Sequence, residues 1–168
     1  MDVPPPDAPD LVGVITAANE VGLSCVIIGG FAVIANQYAR GTEDVDLLIG
    51  GDRAQDPTIA RFLERIEARR GGAAVPERAI AAAETLRVDS RLGQVDLLRE
   101  GLPPVDFETV AESAIVLDYH GQPARVASLA SLVAFKRLAG RPRDQLDLAE
   151  LERIHGPLPI LPIPGLDD

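Results

Sequence analysis

Val26-Ile27-Ile28-Gly29-Gly30-Phe31-Ala32 and, shortly after, Arg40-Gly41-Thr42-Glu43-Asp44-Val45-Asp46-Leu47-Leu48-Ile49 decide the fold of this chain. A β-branched run ends in two glycines, an apolar helix starts there, and the next strand carries two aspartates one residue apart. Side chains two positions apart on a strand share a face. Asp44 and Asp46 therefore point the same way, with Val45 turned into the core. The Val45, Leu47, Leu48 and Ile49 surround implies a sheet buried on both faces, where unpaired charge costs several kcal/mol. Two carboxylates crowded on one face repel unless a cation lies between them. Hard divalent cations such as Mg2+ want that oxygen ligation.

Working outward, Pro9 to Val21 reads as a helix with Leu11, Val14, Ile15 and Ala18 on one face, ended by Gly22. Ser24 to Ile28 suits a buried strand, Phe31 to Tyr38 an apolar helix, and Asp44 to Ile49 the second strand. Pro57 to Arg70 is amphipathic, with Ile59, Phe62, Leu63 and Ile66 inward, and Gly71 and Gly72 close it. A short helix over Val75 to Ala83 precedes strands at Thr85 to Ser90 and Gln94 to Leu98, joined by a tight turn near Leu92 and Gly93. A second hairpin pairs Ile115 to Asp118 with Ala124 to Val126 around His120 and Gly121. Helices follow over Ser128 to Ala139 and from Pro142 to about His155. The order predicts an α/β (α+β) fold, a mixed sheet flanked by helices with the C-terminal helices packed on it.

The chain has 168 residues, 46% hydrophobic and 25% charged, about one ordinary domain. We read a flexible Pro-rich N-terminus over residues 1–10, a single domain over 11–155 and a Pro-rich tail over 156–168. Pro157, Pro159, Pro162 and Pro164 prevent a helix in that tail, so it is extended, packed on its own core or on a neighbour. The longest apolar run is broken by Gly29 and Gly30, which excludes a membrane span there. An acidic, Pro-rich start is unlike a signal peptide, and a cytoplasmic protein is expected. Cys25 is the sole cysteine, which excludes an internal disulfide. Sixteen basic against 26 acidic residues give a net charge of −10, which opposes general nucleic-acid binding. Arg61, Arg65, Arg69 and Arg70, and later Arg137, Arg141 and Arg143, read first as solvated helix faces and dipole partners.

Gly29 and Gly30 opening a helix, then Asp44-x-Asp46 on the following strand, then a third acid in Gln94-Val95-Asp96-Leu97-Leu98, resemble the nucleotidyltransferase superfamily. Arg40-x-Thr42-x-Asp44-x-Asp46 is similar to the branch of small stand-alone members that includes toxin and antitoxin components and antibiotic-modifying enzymes. The likeness covers roughly Gly22 to Leu151. It implies transfer of a nucleoside monophosphate from a nucleoside triphosphate to a hydroxyl on a protein, a small molecule or an RNA end, with Mg2+. Asp44, Asp46 and Asp96 would be the metal ligands and catalytic acids, in a site for two cations about 3.5–4 Å apart. Asp96 would also accept the proton of the attacking hydroxyl. Gly29, Gly30, Arg40, Thr42 and Lys136 would bind the nucleotide. Many relatives carry Ser at the second glycine; this chain has Gly30 and lacks that hydroxyl.

Each element has a physical reason. Glycines let backbone N–H groups approach a triphosphate, and a helix beginning there offers unpaired donors. Lysine suits phosphate as a compact point charge. Each also has a rival reading. Asp89 competes with Asp96 from one strand earlier. Lys136 in an apolar helix reaches phosphate or snorkels to water, and Asp144 and Asp147 either orient basic residues or favour their helix dipole. Neither His120 nor His155 has zinc-ligand spacing with Cys25. The alternative function is a non-catalytic nucleotide- or partner-binding member of a toxin–antitoxin-type pair, with the tail docking on a protein partner or a second copy.

Overall fold

The computed structural model describes residues 8–168, so the part of the predicted N-terminal segment over residues 1–7 lies outside the described residues. A six-stranded mixed sheet of order β5-β6-β2-β1-β8-β7 forms the centre, built from β1 (Cys25–Ile28), β2 (Asp44–Ile49), β5 (Thr85–Val88), β6 (Gln94–Arg99), β7 (Ile115–Tyr119) and β8 (Gln122–Val126). β1 is antiparallel to β2 and parallel to β8, and β2 is parallel to β6. β5–β6 and β7–β8 are antiparallel hairpins at the two sheet edges. This is the mixed sheet expected. None of the helices is long and apolar enough to cross a membrane, among the described residues.

Seven α-helices cover the sheet in the described residues: α1 (Leu11–Val21), α2 (Gly29–Ala35), α3 (Asp56–Arg65), α4 (Glu77–Ala82), α5 (Phe107–Ser113), α6 (Leu129–Ala139) and α7 (Pro142–His155). Their ends follow from local chemistry. The Asp10 carboxylate accepts from Gly13 N–H at 2.9 Å at the start of α1, and Gly22 ends that helix in the left-handed region at φ 72°. Ser128 caps α6 by accepting from Ser131 N–H at 3.2 Å. Pro142 occupies the first turn of α7, where its missing N–H is no loss. The core is continuous, from Val14 and Ala18 of α1 through Val26, Leu47, Leu48 and Leu97 of the sheet to Phe62 of α3 and Leu132 of α6.

Two local features differ from the sequence reading. The helix read over Pro57 to Arg70 ends at Arg65, because Glu67 turns left-handed at φ 55°. Arg69–Arg70 (β3) instead pairs with Ala73–Ala74 (β4) as a small separate ribbon. Amphipathic spacing persists past the break because Ile66 and Ala68 stay buried in the loop. Second, α5 arises in a stretch without helical periodicity. It is seeded by the Asp106 side chain accepting from Thr109 N–H at 3.2 Å and anchored by buried Val110. The tail lies on its own chain, one of the two placements expected: Ile163 is buried with Val105 and Ala134 against Phe135, and Arg137 on α6 pairs with Asp167.

Candidate active site

The β2–β6 register sets Asp46 directly opposite Asp96, and the β1–β2 register sets it opposite Ile28 at the end of β1. Asp44, Asp46 and Asp96 each offer an oxygen, and these oxygens lie within 4.8 Å of one another. Asp89 is elsewhere: its backbone bridges Arg69 beyond the end of β5. The triad lines a cavity of about 480 Å³ that also takes in Gly29, Gly30, Arg40, Thr42 and Lys136, so all eight residues singled out from the sequence border one space. Its apolar wall comes from Ile28, Leu98 and, on α6, Leu132, Phe135 and Ala139.

Burial, then repulsion from Asp44 and Asp96, pushes the Asp46 carboxyl up to about 7. Asp44 is raised for the same reasons, with Arg87 and Arg143 opposing. A carboxyl so raised marks a site with too little positive charge for its anions, and three hard oxygen donors converging on one point are the chemistry that suits a divalent cation.

The two glycines have an intramolecular role that their sequence does not reveal. Gly29 stands at φ 67°, and a Cβ there would lie 2.0 Å from Asp46 Oδ2. A Cβ on Gly30 would lie 2.4 Å from Thr42 Oγ1. Both positions must therefore be bare for Asp46 and Thr42 to reach the cavity, quite apart from any phosphate. The space beside Gly30 that a serine side chain would need is filled by the Thr42 hydroxyl.

Opposite the triad, the charges are balanced. Lys136 is 5% exposed and donates to Asp144 Oδ1 at 3.0 Å, with Asp147 Oδ2 at 2.9 Å. It does not snorkel. Asp147 also holds Arg40, whose Nε and Nη2 stand 2.9 and 3.0 Å from its two oxygens. Asp144 accepts from Arg141 N–H at 3.1 Å and from Arg141 Nε at 2.7 Å, so it caps α7 and orients basic residues at once. Burial opposes ionisation of Asp144, but hydrogen bonds from Arg141 and Lys136 outweigh it and hold the carboxyl at about 2.

The sequence reading does not single out Arg87, and it takes Arg141 and Arg143 first as a solvated helix face, although all three line the cavity. Arg87 had a legible signal: between buried Leu86 and Val88 on a strand, it must face the opposite side of the sheet. Arg141 and Arg143 flank the proline that starts α7, and only the packing of α7 on α6 brings them in. Of the first arginine group, Arg65 pairs with Glu20, and Arg69 and Arg70 are exposed on β3.

No protein-family model and no curated protein matches the sequence. Solved structures do match. The chain is similar to the lincosamide antibiotic adenylyltransferase LnuA in its lincomycin-bound crystal structure, with 14% identity and a TM-score of 0.60 over 86% of this chain and 96% of that one. It is also similar to ANT(2″)-Ia in complex with adenylyl-2″-tobramycin (15% identity, TM-score 0.54, 84% of each chain). A third is an antigenic nucleotidyltransferase-like protein from Paracoccidioides brasiliensis (18% identity, TM-score 0.56, 84% of this chain and 72% of that one). The chain has the nucleotidyltransferase-like fold. None of these three is named as a toxin or an antitoxin.

Proposed function

We propose that this chain is a nucleotidyltransferase that moves a nucleoside monophosphate, from ATP in the first instance, to the hydroxyl of a small molecule. One observation carries the reading. Three carboxylates, with Asp46 raised to about 7, converge within 4.8 Å in an open cavity of this fold. Small acceptors are favoured over RNA by the net charge of −10, and two of the structural neighbours are named with antibiotic ligands.

Asp44, Asp46 and Asp96 would hold divalent metal, Mg2+ being the expected ion. When bound it would neutralise charge on the transferring phosphoryl group and clamp the attacking and leaving oxygens. The remaining chemistry belongs to the chain. Gly29 and Gly30 keep the cavity floor free of side chains. The Thr42 hydroxyl, donating to Asp44 O at 3.2 Å, stands where it can turn to a phosphate oxygen. Arg40 and Lys136 are held by Asp147 and Asp144 in one arrangement before substrate arrives, which reduces the ordering cost of binding. Arg141 and Arg143 add positive charge for the triphosphate at the cavity rim. Asp96 would take the acceptor proton.

Thermal unfolding with ATP, with and without Mg2+, tests the site: binding to the native state raises the melting temperature. The expected result is a metal-dependent rise that Asp46→Asn abolishes. Labelled ATP offered with a panel of aminoglycosides and lincosamides then tests transfer, and Asp46→Asn should lower it roughly a thousandfold, the several kcal/mol of metal-based stabilisation at 1.4 kcal/mol per tenfold. Full transfer by Asp46→Asn would remove the site as drawn.

A further inference from the structure

Arg87 on β5 stands directly opposite Asp96 on β6. Its guanidinium grips that carboxylate with both arms, Nε to Oδ1 at 2.9 Å and Nη2 to Oδ2 at 2.9 Å, and Nη2 reaches on to Asp44 Oδ2 at 3.7 Å. Two of the three carboxylates that converge in the cavity thus share one arginine. Nothing locks that arginine there on the solvent side, since its side chain is 65% exposed.

We propose that Arg87 is a built-in stand-in for the metal, a counter-charge that holds Asp44 and Asp96 together before a divalent cation arrives and that the cation displaces. The inference rests on the reading that the triad takes metal. A guanidinium and a divalent cation on the same pair of carboxylates repel each other strongly at such distances, so one must yield. The arginine is the one that yields, because its single charge sits on a side chain 65% exposed, which water can take up again, whereas a divalent cation gains all three carboxylates at once. Backbone pairing keeps the displaced side chain at the cavity edge. Leu86 and Val88 are buried on the other face of the strand, so Arg87 cannot rotate away with its backbone. Arg87 is therefore a positioning residue that sets metal affinity.

The test is Mn2+ binding to the nucleotide-free protein, followed by the electron paramagnetic resonance of free Mn2+, for the wild type, Arg87→Ala, Arg143→Ala and Asp46→Asn. Arg143 lines the same cavity and also acts on Asp44, but it makes no ion pair with the triad, so it controls for charge alone. Arg87→Ala should bind Mn2+ about three- to tenfold more tightly, the scale of a weak ion pair released, and Arg143→Ala within about twofold of the wild type. In EDTA, Arg87→Ala should melt below the wild type, and saturating Mn2+ should abolish that difference. Unchanged or weaker binding by Arg87→Ala, or an equal gain by Arg143→Ala, overturns the stand-in role while leaving the metal site standing. Absence of binding to both the wild type and Arg87→Ala removes the metal site, and the stand-in role with it.

Discussion

Two clusters of aspartates meet in the same cavity and are treated in opposite ways. Asp144 and Asp147 sit on α7 with Lys136, Arg40 and Arg141 packed onto them, and Asp144 is held down at about 2. Asp44, Asp46 and Asp96 sit on the sheet with a single solvent-facing arginine among them, and Asp46 is pushed up to about 7. Identical side chains are neutralised anchors in one place and, on the proposed reading, an incomplete ligand set in the other. Partners decide between them: burial raises both carboxyls, but hydrogen bonds from Arg141 and Lys136 outweigh it at Asp144, whereas repulsion from Asp44 and Asp96 adds to it at Asp46.

If the α7 cluster is structural, breaking it should cost the fold. Lys136→Met leaves Asp144 and Asp147 buried with one cation fewer, and should destabilise by about 3–5 kcal/mol, read as a lower denaturation midpoint. The C-terminal tail braces α6, the helix that carries Lys136, from outside. Ile163→Ala, which opens a space against Val105 and Ala134, should cost about 2 kcal/mol in the same measurement. The sheet cluster should behave in reverse: Asp46→Asn removes a like charge, and should raise metal-free stability by on the order of 1 kcal/mol, the scale of one pKa unit. A loss of stability in that variant would collapse the contrast.

The contrast also has a pH signature. Asp46 is raised from 3.8, so the folded metal-free chain keeps a proton that the unfolded chain releases. Its stabilising effect is complete below about pH 4 and is lost as the pH rises through about 7. Asp144 is lowered, so its contribution is present above 3.8 and is lost as the pH falls towards about 2. In EDTA the melting temperature should therefore decline between about pH 4 and pH 7. Asp46→Asn should flatten that decline, and Lys136→Met should not.

Much of the site was legible in the sequence because its logic is local. The strand alternation that places Asp44 and Asp46 together needs no tertiary information, and Val95 and Leu97 around Asp96 announced a buried strand. The helix limit at Arg65 was not legible, since Ile66 and Ala68 remain apolar and buried after the backbone has left the helix. α5 was hidden for the opposite reason: a seven-residue helix shows too little periodicity to register, and its signal is a cap at Asp106.

By itself the sequence determined the strand–glycine–helix–strand unit, the mixed sheet and the shared face of Asp44 and Asp46, because hydrophobic period, glycine and carboxylate spacing act over a few residues; the β2–β6 register decided for Asp96 over Asp89. Tertiary structure alone decided which charges are neutralised. That Lys136 is spent on Asp144 and Asp147, that Thr42 fills the space beside Gly30, and that Arg87 spans Asp96 and Asp44 all depend on β-strand register and on α7 folding back over α6. Electrostatic pairing is a matter of ångströms between residues as much as 107 positions apart in the chain, a separation across which sequence pattern carries no distance.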